Sequence, residues 1–291
     1  MSSPISAVDW IEKSETVADL INQEDTLSIY PMNQGNEAEV IKIELDNKSF
    51  VLKVWNKSSK PDIHFQFHLL NALIEKGLSV SKPVGWGIDR NTHKVLLTTF
   101  DGVPVQKVNN KILIEIANIL STLHQMNNED IETIQLPKYD FVSYFFPELS
   151  KHHDLNKAVI SLVNLIQIRQ DRIIHGDFHL NNILEENNRY TVIDWTNGQL
   201  GDPRYDFSWS LILKKIYISD RLAQVFRSAY LSKNKVPSNE LDIFEALAYL
   251  KWILLSRSNS VPIGPKTIEK VKSLIRKNPF LLEVDVVNGK Q

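Results

Sequence analysis

Residues Ile173–Leu184 read IIHGDFHLNNIL, and five polar side chains, His175, Asp177, His179, Asn181 and Asn182, stand there between two apolar pairs. Three readings suit such a turn. His175, Asp177 and His179 alternate, so in an extended strand they would share one face, and imidazole and carboxylate together are zinc ligands. Against a metal cage, Gly176 permits an irregular loop, Asn182 is a poor zinc ligand and no third imidazole follows. A plainer reading has histidine and asparagine capping a tight turn through local backbone bonds. The third reading, phosphoryl transfer, uses more of the residues. Asp177 accepts the proton of an attacking alcohol. Asn182 brings an amide oxygen five residues later, and Asp194 a carboxylate twelve residues after that, at the end of RYTVIDW. Magnesium on a nucleotide's phosphates takes such oxygen ligands. The intervening ILEENNRYTVI reads as a hairpin turning at Asn187–Arg189, so base, amide and second carboxylate are expected to converge. A site of this kind works by positioning and charge neutralisation.

The rest of the chain limits the choices. A length of 291 residues favours two domains over one. Hydrophobic residues make up 43% and charged residues 23%, ordinary for a soluble globular protein. With 33 basic and 35 acidic side chains the net charge is -2, so no global field gathers nucleic acid or anionic membrane. No Lys/Arg stripe is interleaved with aromatics, as a nucleic-acid surface requires. Cysteine is absent, which excludes disulfides, thiolate chemistry and cysteine-ligated zinc and fits a reducing compartment. MSSPISAVDW lacks the basic-then-apolar pattern of a signal peptide, and no stretch approaches the 18 apolar residues of a membrane span. The expectation is a cytoplasmic protein with neither nucleic-acid nor membrane partner.

Periodicity supplies the elements. EVIKIEL (39–45) and FVLKVW (50–55) flank the turn DNKS as a β-hairpin. Phe65, Leu69, Leu70 and Leu73 recur at helical spacing over 62–76, with Gly77 as the stop. SVSKPVGWGI reads as a turn-rich lead into a strand over 94–100. Helices are expected from near Asn109, over 154–169, and roughly over 206–231, 238–256 and 265–278, with GQLGDPRYD as a loop. A strand-rich first third before a mainly helical remainder makes an α+β protein of two lobes. The boundary falls near Phe100–Pro104, giving a small β-rich lobe over 1–100 and a larger helical lobe over 101–291.

HGDFHLNNIL, then VIDW, then GDPRYDFSW, in that order, closely resembles the aminoglycoside phosphotransferase family, small-molecule kinases of protein-kinase-like fold related to choline kinases. The resemblance is concentrated over 173–209. It implies Asp177 as the catalytic aspartate, His175 as the brace of the catalytic loop, and Asn182 and Asp194 as magnesium ligands. It gives Lys53, within FVLKVW, to the α- and β-phosphates. Backbone groups at Thr98 and Phe100, in the hinge LLTTFDG, are implied for adenine, and Gly35 and Asn36, in MNQGNEAEV, for the phosphates. Asp202 and Asp206 are implied as structural support, with Asp206 starting the next helix. ATP with magnesium is the implied cofactor pair, and GTP is possible.

The chain departs from the family's pattern at two points. Gln66 stands near where a kinase lysine finds its glutamate, and the phosphate loop holds one glycine rather than GxGxxG. Both keep open a catalytically silent, kinase-like binding protein. The acceptor is expected to be a small hydroxylated metabolite, aminoglycoside-like or choline-like. Glu240, Asp242 and Glu245 offer carboxylates for a polycation, Tyr249 and Trp252 offer cation–π surface, and Arg257 suits an acidic acceptor.

Overall fold

The computed structural model describes residues 4–32, 38–57, 61–131 and 134–282. Along the chain these form β1 (Val8–Lys13), α1 (Glu15–Asn22), β2 (Ser28–Pro31), β3 (Glu39–Leu45), β4 (Lys48–Trp55), α2 (Ile63–Glu75), β5 (Pro83–Asp89), β6 (Lys94–Thr99), β7 (Val103–Pro104), α3 (Asn110–Gln125), α4 (Phe141–Phe145), α5 (His153–Val163), β8 (Arg172–Ile174), β9 (Ile183–Glu186), β10 (Arg189–Val192), β11 (Gln199–Gly201), α6 (Pro203–Tyr217), α7 (Asp220–Leu231), α8 (Ser238–Arg257) and α9 (Thr267–Ile275). Short 3-10 turns punctuate the loops. The fold is α+β and two-lobed. Among the described residues no helix is long and apolar enough to cross a membrane.

Two compact units divide the chain, one from Met1–Val105 with Asn181–Thr196, the other from Gln106–Leu180 with Asn197–Gln291. The first is built on an antiparallel sheet ordered β1-β5-β6-β4-β3-β2. Alternation along β3 and β4 puts Ile43, Phe50 and Leu52 on one face, where they pack with Val95, Leu97, Val17 and Leu20. The hairpin closes at Leu45↔Lys48, with Asp46 at φ +52°. β9 and β10 also belong to this unit and pair with β7 in the order β10-β9-β7. Their turn is Asn187-Asn188, at φ +52° and +63°. A two-residue hairpin loop of this type takes positive φ at both positions, and asparagine tolerates it.

The second unit buries α8 on nearly every side. Phe244, Leu247, Leu250, Trp252 and Ile253 of α8 pack with Tyr205, Trp209 and Ile212 of α6, Phe141 and Phe145 of α4, and Leu155 and Val159 of α5. Tyr249 and Trp252 lie in that core, so the cation–π surface they offered is not exposed.

Several boundaries differ from the periodic reading. β1 and α1 had no counterpart in it. SVSKPVGWGI contains β5, a central strand. Its glycines look like turn residues but admit a neighbour: a Cβ on Gly87 would stand 2.3 Å from the Asp9 carbonyl oxygen on β1. The helix expected over 154–169 stops at Val163. The helix expected over 206–231 is two, broken at Ile218, with Ser219 capping α7. β11 lies inside the segment read as a loop.

Candidate active site

In the first unit the hairpin β9–β10 carries two of the anticipated oxygen ligands. The Ile193 N–H donates to the Asn182 carbonyl oxygen at 2.9 Å, which sets Asn182 beside the residue preceding Asp194. Asn182 is buried. Asp194 follows β10 at φ +66°, a left-handed conformation that turns the chain sharply at the strand's end. Lys53 of β4 reaches it, Nζ to Oδ1 at 3.9 Å. Thr196 Oγ1 donates to the same Oδ1 at 2.9 Å, and the Gln66 side-chain amide lies 3.5 Å from Thr196 Oγ1. Gln66 therefore braces the aspartate through a hydroxyl, and the carboxylate facing Lys53 comes from Asp194. Sequence reasoning missed Thr196, whose signal was its place two residues after the strand-end aspartate.

The two residues expected at a hinge, Thr98 and Phe100, lie at the end of β6. Thr98 pairs with Val51 across β4. The Phe100 N–H already donates to the Ser49 carbonyl oxygen at 3.0 Å, and Lys42 Nζ stands 4.2 Å over the Phe100 ring. Gly35 and Asn36 lie outside the described residues.

The second unit holds Asp177. It accepts from the Trp209 indole N–H (Oδ1, 2.8 Å) and pairs with His179 Nε2 (Oδ2, 3.3 Å). Burial alone would raise its pKa, but His179, Lys251 and the Trp209 N–H together hold the carboxyl far below the usual carboxylate range. The group is therefore ionised throughout the physiological range. Lys251 of α8 has its ammonium 4.4 Å from the Trp209 ring centre, 5.0 Å from Phe145 and 5.6 Å from Tyr205. Trp209 thus touches the aspartate with its edge and the lysine with its face. Neither Trp209 nor Lys251 was anticipated. Trp209 sits in the quoted GDPRYDFSW, whereas Lys251 lies in a helix whose sequence offers only an apolar repeat.

The loop under Asp177 is held from inside. His175 is fully buried, and its Nδ1 accepts from the Asp177 N–H at 3.2 Å. The His175 and Gly176 N–H groups donate to the two oxygens of Asp206, at 2.9 and 3.1 Å. His124 bridges Asp206 Oδ2 (3.1 Å) and the Tyr230 hydroxyl (2.7 Å). Asp206 keeps its carboxyl below the ordinary value against the effect of complete burial, chiefly through His124. Its place in the chain corrects the sequence reading: α6 begins at Pro203 with Asp202 as its cap, Oδ1 accepting from the Arg204 N–H at 3.0 Å. Asp206 lies inside that helix and anchors the loop.

The zinc reading fails here. Among the described residues, His175, Asp177 and His179 do not gather their ligand atoms into one group. Two of the three carboxylates expected for an acceptor are also engaged: Glu240 pairs with Arg204 and Glu245 with Lys215, each at 2.5 Å. Arg257 is held by Asp154, also at 2.5 Å.

A family model described as the phosphotransferase enzyme family matches residues 28–240. No curated protein matches the chain. Among solved structures, an apo thermostable mutant of aminoglycoside phosphotransferase APH(4)-Ia aligns with TM-score 0.65 and 14% identity, covering 89% of this chain and 98% of that one. A putative aminoglycoside phosphotransferase from Ralstonia eutropha JMP134 gives 0.61 and 16%, covering 98% and 96%. Choline kinase LicA from Streptococcus pneumoniae gives 0.62 and 16%, covering 90% and 97%. At such identities the likeness to these structures is one of fold. The family match spans most of the chain and includes the loop, the hairpin and the aspartate-capped helix described above, and on it this protein is a member of the aminoglycoside phosphotransferase family, related to the choline kinases.

Proposed function

We propose that this protein is a small-molecule kinase that transfers the γ-phosphoryl group of ATP to a hydroxyl of a small acceptor, with GTP as a possible alternative donor. The observation that carries the reading is the ionised Asp177, clamped by Trp209 and His179 and standing on a loop anchored by Asp206. As the acceptor oxygen bonds to phosphorus and the bond to the nucleoside diphosphate breaks, Asp177 takes the hydroxyl proton. His175 holds the loop's geometry. Lys53 serves the nucleotide phosphates, and Gly35, Asn36, Thr98 and Phe100 serve the nucleotide through backbone groups. Phe100 does so with its carbonyl, since Ser49 already takes its N–H.

Donor chemistry supports the metal reading. Asn182 and Asp194 offer only oxygen donors, which suits a hard cation. Asp194 commits Oδ1 to Lys53 and Thr196, and among the described residues Oδ2 carries no hydrogen bond. When bound, magnesium would neutralise phosphate charge at these two residues.

The acceptor follows from Lys251. The aromatic box of Phe145, Tyr205 and Trp209 is filled by the chain's own ammonium, and Glu240 and Glu245 are each held in an ion pair. An acceptor that is neutral or acidic near its reacting hydroxyl suits this site better than a polycation.

The test combines thermal-shift titration with Mg-ATP and a phosphate-transfer screen over alcohols of each charge class. The native chain is expected to bind Mg-ATP and phosphorylate at least one neutral or acidic acceptor. Asp177→Asn should keep nucleotide binding and lose about 10²–10⁴-fold in turnover. Nucleotide binding with no transfer to any acceptor would favour the silent protein suggested by Gln66. Turnover undiminished in Asp177→Asn would remove the aspartate from its role.

A further inference from the structure

A second cluster of ligating side chains lies in the first unit, away from Lys53 and Asp194 in sequence. His64 and His68 stand four residues apart on α2, on one helix face. Glu12 reaches them from β1, and one ligand atom from each residue falls within 4.8 Å of the other two. Both imidazoles turn the same nitrogen to the same oxygen: His68 Nε2 is 3.0 Å from Glu12 Oε1, and His64 Nε2 is 3.8 Å from it. The rings meet edge to face at 4.5 Å.

The carboxylate is aimed. β1 bulges between Trp10 and Glu12, and past the bulge Glu12 lies opposite Trp86 on β5. A bulge redirects the side chains that follow it. The Trp86 indole N–H donates to Glu12 Oε1 at 2.9 Å and fixes it from behind. Metal-binding carboxylates are characteristically held by such an outer hydrogen bond.

An ordinary His–Glu contact would need only His68. His64 gains no hydrogen bond at 3.8 Å, and its side chain is 60% exposed, meeting the His68 and Trp86 rings edge to face. A cation shared by all three accounts for both Nε2 atoms facing one oxygen. Two imidazoles and one carboxylate, with an open side toward solvent, form the donor set of a three-ligand zinc site.

We propose that Glu12, His64 and His68 bind one divalent transition-metal ion of zinc-like preference, tying β1 to α2. Imidazole nitrogen selects such ions over magnesium, which prefers oxygen.

The test uses the untagged full chain in buffer free of chelator and phosphate. Titration calorimetry with zinc chloride, nickel chloride and magnesium chloride is compared with melting temperature. One zinc per chain at micromolar affinity is expected, with nickel also binding, an upward shift of several degrees, and no response of this site to magnesium. Nickel should also quench Trp86 emission, since that indole lies 5.5 Å from the His64 ring. His64→Ala alters an exposed side chain and should weaken zinc at least tenfold. His68→Ala should do the same and Glu12→Gln less, with unchanged far-ultraviolet dichroism. Absence of binding below millimolar zinc would overturn the site. So would equal affinity in His64→Ala, or zinc binding abolished by Asp177→Asn yet retained in His64→Ala.

Discussion

Trp209 does two jobs at one residue. Its N–H stabilises the ionised form of Asp177, and its ring holds Lys251 by cation–π attraction. Trp209→Phe keeps the ring and deletes the donor. Losing a hydrogen bond to the charged form raises a carboxyl pKa, so the carboxylate proposed as the base should be protonated at a higher pH. The Asp177 carboxyl pKa is expected to move up by about one pH unit, followed by carbon-13 NMR titration, with little change in melting temperature. A pKa that stays in place would mean that Trp209 does not set the charge of Asp177. Gly176 is constrained in a different way. It takes φ +78°, and a Cβ there would stand 2.8 Å from the carbonyl oxygen and side chain of Asn197. Its presence in HGD was legible as loop permission, but the neighbour that demands it was not.

At the scale of elements, the break between α6 and α7 shows how a local device overrides periodicity. Apolar spacing runs through 206–231 with little interruption, and one helix was expected. Ser219 ends that continuity: its backbone is extended, and its hydroxyl accepts from the Leu222 N–H at 3.2 Å, which starts a new helix. Ser219→Ala should cost about 1 kcal/mol and lower the melting temperature by roughly 2–4 °C, read by calorimetry. The hairpins were read more securely. DNKS and the paired asparagines 187 and 188 have the turn chemistry that short loops require, so β3–β4 and β9–β10 were visible in outline. β1, β5 and β11 were not. β5 is rich in glycine because β1 approaches it closely, and a single sequence cannot separate that cause from a turn.

At the scale of the whole molecule, Lys214 links stability to pH. It is buried against Phe226, with Nζ 4.0 Å from that ring centre and 2.7 Å from Ser210 Oγ. Burial pushes its pKa down to about 7, and Asp206 offsets this only in part. An unfolded chain keeps the lysine protonated to about pH 10.4. Between those limits the unfolded state binds more protons than the folded one, so stability rises with pH from about 7 to about 10. The native protein should gain a few kcal/mol over that window, and Lys214→Met should flatten the gain. Chemical denaturation at pH 7 and pH 9.5 measures it, and equal slopes in both proteins would show that Lys214 keeps an ordinary pKa.

The sequence by itself determined the family, the two-lobed α+β class and the order of the loop, hairpin and capped helix, because residue types at fixed spacing carry that information. Asp177, Asn182 and Asp194 could be named from oxygen chemistry and position alone. Tertiary structure decided what surrounds them. Asp194 faces Lys53 of β4, Asp206 grips the loop from within α6, and Lys251 of α8 fills an aromatic box built from α4 and α6. These contacts join residues from 30 to more than 140 positions apart, and no local rule of spacing, capping or turn chemistry reaches that far.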